Sequence, residues 1–201
     1  CIVNEFSEGQ SLFSILHNPT QNLTWKDNLL QCAIDICEGM LYLHTQHTPI
    51  LHRALRSQNI WISYYFCLKS KNTAKINFLD LACISADLPI TRETEAWIAP
   101  EILTLNPNYS EKSDVYSFGI VLWEMATCAI PRRNGDESPA FPSNTMPIIL
   151  EDLYYDCVSE VRPDFAFILN KLKTRVHKAV ESQMGPYPVL HSPACNCSSI
   201  E

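Results

Sequence analysis

Leu51-His52-Arg53-Ala54-Leu55-Arg56-Ser57-Gln58-Asn59 is a polar stretch enclosed by two short apolar runs, at 50–51 and 60–63, that read as strands. A third strand is expected at 74–78, behind the basic loop KSKNTAK (69–75), so the middle of the chain is hairpin-like. Upstream, Trp25, Leu29, Cys32, Ala33, Ile36, Met40 and Leu43 recur at three- and four-residue steps. Their spacing predicts one long amphipathic helix from an N-cap at Thr24 to about His44. Before it, 2–6 reads as a strand end, SEGQ (7–10) as a polar turn and 11–16 as a brief helical turn. Downstream, Val115, Phe118, Ile120, Val121, Leu122 and Met125 wrap most of the circumference of a helix over 113–126, which must be buried on nearly all sides. The proline-bearing stretch 129–147 will not form a long helix. A short helix follows over 146–157, and Pro163 suits the first turn of a last helix with Phe165, Ile168, Leu169, Leu172 and Val176 on one face.

At 201 residues, 46% apolar and 18% charged, the chain can bury a core and is too apolar to stay disordered. The longest apolar run, 118–130, is interrupted by Glu124 and is far short of the roughly 20 residues that cross a bilayer. A net charge of −7 opposes the phosphate neutralisation on which nucleic-acid binding depends, so no polynucleotide partner is expected. Nine cysteines, without a CxxC pair and mostly in apolar stretches, read as reduced buried thiols and point to the cytoplasm. Cys195 and Cys197 lie in a tail, 181–201, that has no periodicity.

Residues 51–59 resemble the catalytic loop of protein kinases, H-R-D-L-K-x-x-N, and the Arg56-Ser57 pair is closest to the tyrosine-kinase-like group. The family's other motifs follow in its order: IVNEFSEGQSL (2–12) as strand and hinge, AKINFLDLA (74–82) as the magnesium-motif strand, WIAPEIL (97–103) as the end of the activation segment, SDVYSFGIVLWEM (113–125) as the central helix and VRPDF (161–165) before the last helix. The resemblance implies an α+β protein-kinase-like fold over residues 1–180: a mostly helical carboxy-terminal lobe with short hairpins, without the amino-terminal lobe. A chain that opens at Cys1 in the hinge reads as a piece of something longer.

Set against the family pattern, His52, Arg53 and Asn59 match, Arg56 keeps the charge of the usual lysine, and Ala54 stands where the aspartate accepts the substrate hydroxyl's proton. A methyl group cannot accept a proton, and such general-base help is worth about 10²–10⁴ in rate. The Asp-Phe-Gly metal motif aligns with Phe78-Leu79-Asp80, so the metal aspartate has become Phe78. A register shifted by two would make Asp80 a ligand beside Asn59, at the expense of the flanking identities. Trp61 replaces the aliphatic floor under the adenine ring, although Glu5, Phe6 and Ser7 of the hinge still carry backbone groups that an adenine can bond. No cofactor is therefore expected, ATP and magnesium included.

The resemblance also implies a scaffold. Glu101 would pair with Arg162 in a buried ion pair, Asp114 would hold the catalytic-loop backbone, and His52 and Leu79 would continue a spine of packed side chains. Thr91 and Thr94 stand where relatives carry activating phosphates, with Arg53 as the phosphate-binding arginine. The reading is a pseudokinase that acts as a scaffold or allosteric module toward other signalling proteins or kinases. Two alternatives stay open: a kinase working through Asn59 and Asp80, and a regulatory kinase-homology module of a larger receptor or repeat protein.

Overall fold

The computed structural model describes residues 9–21, 23–63, 74–77, 94–135, 137–141, 148–176 and 178. Its elements are β1 (Gly9–Ser11), α1 (Leu12–Leu16), α2 (Leu30–His44), β2 (Ile60–Ser63), β3 (Ala74–Ile76), α3 (Glu111–Thr127), α4 (Ile148–Val158) and α5 (Phe165–Lys171). The described part is thus mostly helical with one small antiparallel sheet, in the order β1-β2-β3. None of its helices is long and apolar enough to cross a membrane.

Helix α3 is the axis. Every residue from Ser113 to Thr127 is buried, as its all-round apolar pattern demands. It begins two residues earlier than its apolar pattern suggests. Ser110 caps it by accepting from the Lys112 amide at 3.3 Å, and Ser113 Oγ returns a bond by accepting from the Ser110 amide at 3.2 Å. Phe118 meets Phe165 of α5 edge to face, 5.6 Å between centroids. Gly119 lets α4 close in, since a β-carbon there would lie 2.8 Å from Cys157 Cβ and 3.1 Å from Val158 Cγ1.

Four local expectations are corrected. The Gly9–Ser11 segment is not a turn but the first strand, because β2 offers it a partner in the register Gly9↔Ser63, Gln10↔Ile62 and Ser11↔Trp61. Gly9 fits there because its backbone nearly touches the Ile62 carbonyl, where a β-carbon would stand 2.0 Å from the oxygen. Residues 50–51 form no strand; the Ile50 amide instead donates to the Leu43 carbonyl at the end of α2. The long helix starts as a wide π-type turn, Trp25–Leu29, and becomes α-helical only at Leu30. The Thr24 carbonyl accepts from both the Asn28 and Leu29 amides, the second bond spanning the five residues of a π-type turn, while Asn28 Oδ1 accepts from the Thr24 amide. Pro163 precedes the last helix rather than opening it, since Asp164 is the cap and accepts from the Phe167 amide at 2.7 Å.

Gly119→Ala gains about 1 kcal/mol in helix propensity but overpacks the α3–α4 crossing by about 1–3 kcal/mol. A net loss of up to about 2 kcal/mol in urea-melt stability is expected; a raised midpoint would show that α4 moves aside freely.

Candidate functional site

The loop 51–59 has few apolar side chains to hold it, so its shape depends on hydrogen bonds, and three of them are accepted by carboxylates of α3. Asp114, in the first turn of that helix, accepts from the His52 amide at 2.9 Å and the Arg53 amide at 2.8 Å, and His44 of α2 donates Nε2–H to the same carboxylate at 2.9 Å. Two successive amides on one carboxylate bend the chain sharply, and Arg53 takes φ +63°, a left-handed conformation that a non-glycine residue adopts at a cost of about 1–3 kcal/mol. Its guanidinium lies over the ring of Tyr109 at 5.1 Å.

Within the loop the Ala54 amide donates to His52 Nδ1 at 3.3 Å, and Asn59 Nδ2 donates to the Ala54 carbonyl at 2.9 Å. The Asn59 carbonyl accepts from the Asn77 amide at 2.8 Å, which ties the loop to the end of β3. Position 54 is thereby fixed in backbone and carries only a methyl group. Ser57 opens a 3-10 turn, Ser57–Asn59, and donates Oγ–H to Glu124 Oε1 at 2.7 Å.

Glu124 is fully buried, and three elements converge on it. Besides Ser57, Trp97 donates its indole N–H to Oε2 at 3.2 Å, and His17, just past α1, donates Nε2–H to Oε1 at 3.1 Å. Burial pushes the Glu124 carboxyl above its ordinary range, against the opposing pull of the His17, Ser57 and Trp97 bonds. The sequence did not single out this residue, nor His17, His44, Tyr109 or Arg133. The one available signal was a lone acid inside an otherwise apolar helix, which a buried helix tolerates only when the acid has partners.

The sheet forms the other wall. Cross-strand partners share a face, so Ser11, Trp61 and Lys75 lie together opposite the buried side chains of Ile60 and Ile62. Trp61 reaches back across β1: its indole nitrogen is 3.0 Å from where a β-carbon of Gly9 would stand.

Below the loop, Arg162 donates to both Glu101 oxygens, Nη1 to Oε1 at 2.6 Å and Nη2 to Oε2 at 3.1 Å, and also to the Ser159 and Lys112 carbonyls. The pair is less buried than the resemblance implies, because the Arg162 side chain is 6% exposed but that of Glu101 is 39% exposed. Desolvation opposes ionisation of Glu101, yet the bonds and charge of Arg162 outweigh it and hold the carboxyl below its usual range. The Tyr116 ring lies within 5.1 Å of Arg162 and 5.5 Å of Arg133, and Arg133 donates to the Ile98 carbonyl and the Tyr116 hydroxyl.

Of the remaining sequence candidates, Arg56 is half-buried in the loop and Thr94 precedes a 3-10 turn, Glu95–Trp97, whose Trp97 amide donates to the Thr94 carbonyl. Glu5, Phe6, Ser7, Phe78, Leu79, Asp80 and Thr91 lie outside the described residues. Among the described residues no group of three or more His, Cys, Asp or Glu side chains is placed to hold a metal ion.

Residues 1–152 match the family model described as protein tyrosine and serine/threonine kinase. Among curated proteins, the chain is 34% identical over 191 residues to serine/threonine-protein kinase STY46 of Arabidopsis thaliana, covering 86% of this chain and 31% of the relative. It is 32% identical over 200 residues to serine/threonine-protein kinase CTR1 of Arabidopsis thaliana, covering 89% and 23%. A probable serine/threonine-protein kinase of Dictyostelium discoideum, drkA, is 33% identical over 190 residues, covering 87% and 28%. The chain therefore spans less than a third of the length of each of these relatives.

Glu124→Ala leaves the Ser57 hydroxyl and the Trp97 indole buried without an acceptor, and a stability loss of about 2–4 kcal/mol is expected in a urea titration. In pH, the two carboxylates have opposite signs. Glu124, raised when folded, adds stability in acid that disappears as pH rises through its folded value, whereas Glu101, lowered when folded, adds stability above its unfolded value that disappears as pH falls. Glu124→Gln should remove the loss of stability that sets in as pH rises above the ordinary carboxyl range, and Glu101→Gln the loss that sets in as pH falls below it; identical profiles for both variants and the parent would refute the assignment.

Proposed function

The chain belongs to the protein tyrosine and serine/threonine kinase family, and we propose that within it this protein is a pseudokinase, a signalling module that retains the family's loop architecture but does not transfer phosphate. One observation carries the reading: the 51–59 loop is fastened by Asp114 and Asn59 through its backbone and by Glu124 through the Ser57 hydroxyl, while the residue at its centre is Ala54. Had the loop itself been lost, the missing acid would mean little. Here the holder is intact and the reacting group is a methyl.

Phosphoryl transfer in this family needs a carboxylate to orient the incoming hydroxyl, and carboxylates with an asparagine to hold magnesium on the phosphates. Loop residues 51–59 contain no carboxylate. Asn59, the family's asparagine, donates a side-chain N–H to the Ala54 carbonyl, which orients its amide but supplies no carboxylate. Trp61, beside Gly9, adds an indole on the sheet face where the family seats the adenine, which further supports a cleft not built for ATP and magnesium. With those residues the fit to a nucleotide–metal pair is poor, and no step through one is derived. The reading takes the chain as a cytoplasmic scaffold or allosteric partner of other signalling proteins or kinases.

A thermal-shift titration on the longest polypeptide that carries this sequence tests it. A ligand at about 100 times its dissociation constant stabilises by about 2.7 kcal/mol, easily read as a rise in melting temperature. No shift is expected with ATP, alone or with magnesium. A magnesium-dependent shift, accompanied by phosphate transfer that Asn59→Ala abolishes, would establish a working enzyme instead.

A further inference from the structure

The corner between α4 and α5 closes a cleft against Lys112 in the first turn of α3, and no residue of the loop 51–59 lines it. Its apolar contacts come from Val161, Pro163 and Phe167, and Asp156 and Asp164 stand at its rim with Lys112. Val161 is 89% exposed and Phe167 53% exposed, although neither sits on a loose segment. Ser159 donates its hydroxyl to the Asp156 and Val161 carbonyls, Asp164 caps α5 through the Phe167 amide, and Arg162 bonds Glu101, Ser159 and Lys112 from beneath. These bonds hold the corner in a shape that presents two large apolar side chains to solvent within one cleft, where other exposed apolar residues such as Leu105 do not lie.

The charge around those side chains indicates what covers them. Residues 148–167 contain five acids, Glu151, Asp152, Asp156, Glu160 and Asp164, and one base, Arg162, whose guanidinium is paired with Glu101; two further bases reach the cleft from elsewhere, Lys112 at its rim and Lys171 on Asp156, so acids outnumber bases five to three. One oxygen of Asp156 bonds Lys171, yet the Asp156 side chain is still 45% exposed, and Glu160 and Asp164 are exposed beside Val161 and Phe167. We propose that this cleft is a docking site for a polypeptide segment that carries an aliphatic or aromatic anchor flanked by lysine or arginine. The anchor would pack on Val161 and Phe167, and the flanking cations would meet Asp164, Glu160 and Asp156. A second copy of this chain suits the site poorly, since an isologous contact would bring the same acidic rim against itself. The inference stands whether or not the protein transfers phosphate, because no residue of the 51–59 loop takes part.

A labelled peptide Lys-Arg-Leu-Trp-Lys-Arg, read by fluorescence anisotropy against the full 201-residue chain, tests the proposal, with Glu-Glu-Leu-Trp-Glu-Glu as its counterpart. The basic peptide is expected to bind and the acidic one not. The double variant Val161→Ala/Phe167→Ala, which leaves every charge in place, should weaken binding about tenfold. Glu160→Gln/Asp164→Asn, which keeps a capping side chain at 164, should weaken it several-fold and reduce its salt dependence. Leu105→Ala, at a fully exposed leucine outside the cleft lining, should leave it unchanged. Melting curves show that each variant is folded. Equal binding to the parent and the alanine double variant would reduce the effect to diffuse charge attraction and overturn the site, as would equal binding of the acidic peptide. Self-association that Val161→Ala/Phe167→Ala abolishes would overturn the choice of occupant.

Discussion

Two carboxylates set into the most buried helix of the molecule hold the rest of the structure in place. Asp114 and Glu124 are ten residues apart on α3, about 15 Å along the axis at 1.5 Å per residue. Between them they grip the loop segment from His52 to Ser57. One carboxylate takes the amides at the start of the segment and the other takes the hydroxyl near its end. The same two groups draw in α2 through His44, the end of α1 through His17 and the turn at Trp97. A buried carboxylate is expensive unless its oxygens are filled, and filling them obliges several distant pieces of chain to meet at fixed points.

This arrangement separates two things that the family's chemistry normally joins. Positioning is a property of the backbone of the loop and of its acceptors on α3. Reaction is a property of one side chain in its middle. A substitution at 54 removes a carboxylate without touching any of the bonds that position the loop, because those bonds use the amide and carbonyl of Ala54 and not its side chain. Loss of chemistry is therefore compatible with an unaltered scaffold. A change at Asp114 or Glu124 would instead unfasten several elements at once.

The Glu101–Arg162 pair works differently. Its arginine is buried and its glutamate is half in water, so the arginine has the greater need of the partner. Arg162 also bonds two carbonyls and stacks near Tyr116, which makes it the post around which the start of α3 and the α4–α5 corner are organised. The exposed apolar residues of that corner owe their fixed presentation to this buried arginine. The rigidity of the proposed docking cleft is thus a by-product of an ion pair serving the fold.

By itself the amino-acid sequence determined the helices, because their periodicity is a local property, and it determined that the loop 51–59 carries no carboxylate, because that is a fact of composition and not of geometry. The motif order likewise identified Asp114, Glu101 and Arg162 as residues that hold the lobe together. Tertiary structure alone decided the rest. A three-residue strand at 9–11 forms only when β2 arrives beside it, and no local pattern distinguishes it from a turn. The π-type turn before α2 shows only in the structure, where the Leu29 amide reaches the Thr24 carbonyl five residues back. The role of Glu124 depends on His17, 107 residues away along the chain, and on Ser57 and Trp97, so the partners that make a buried charge tolerable exist only once the fold has brought them together.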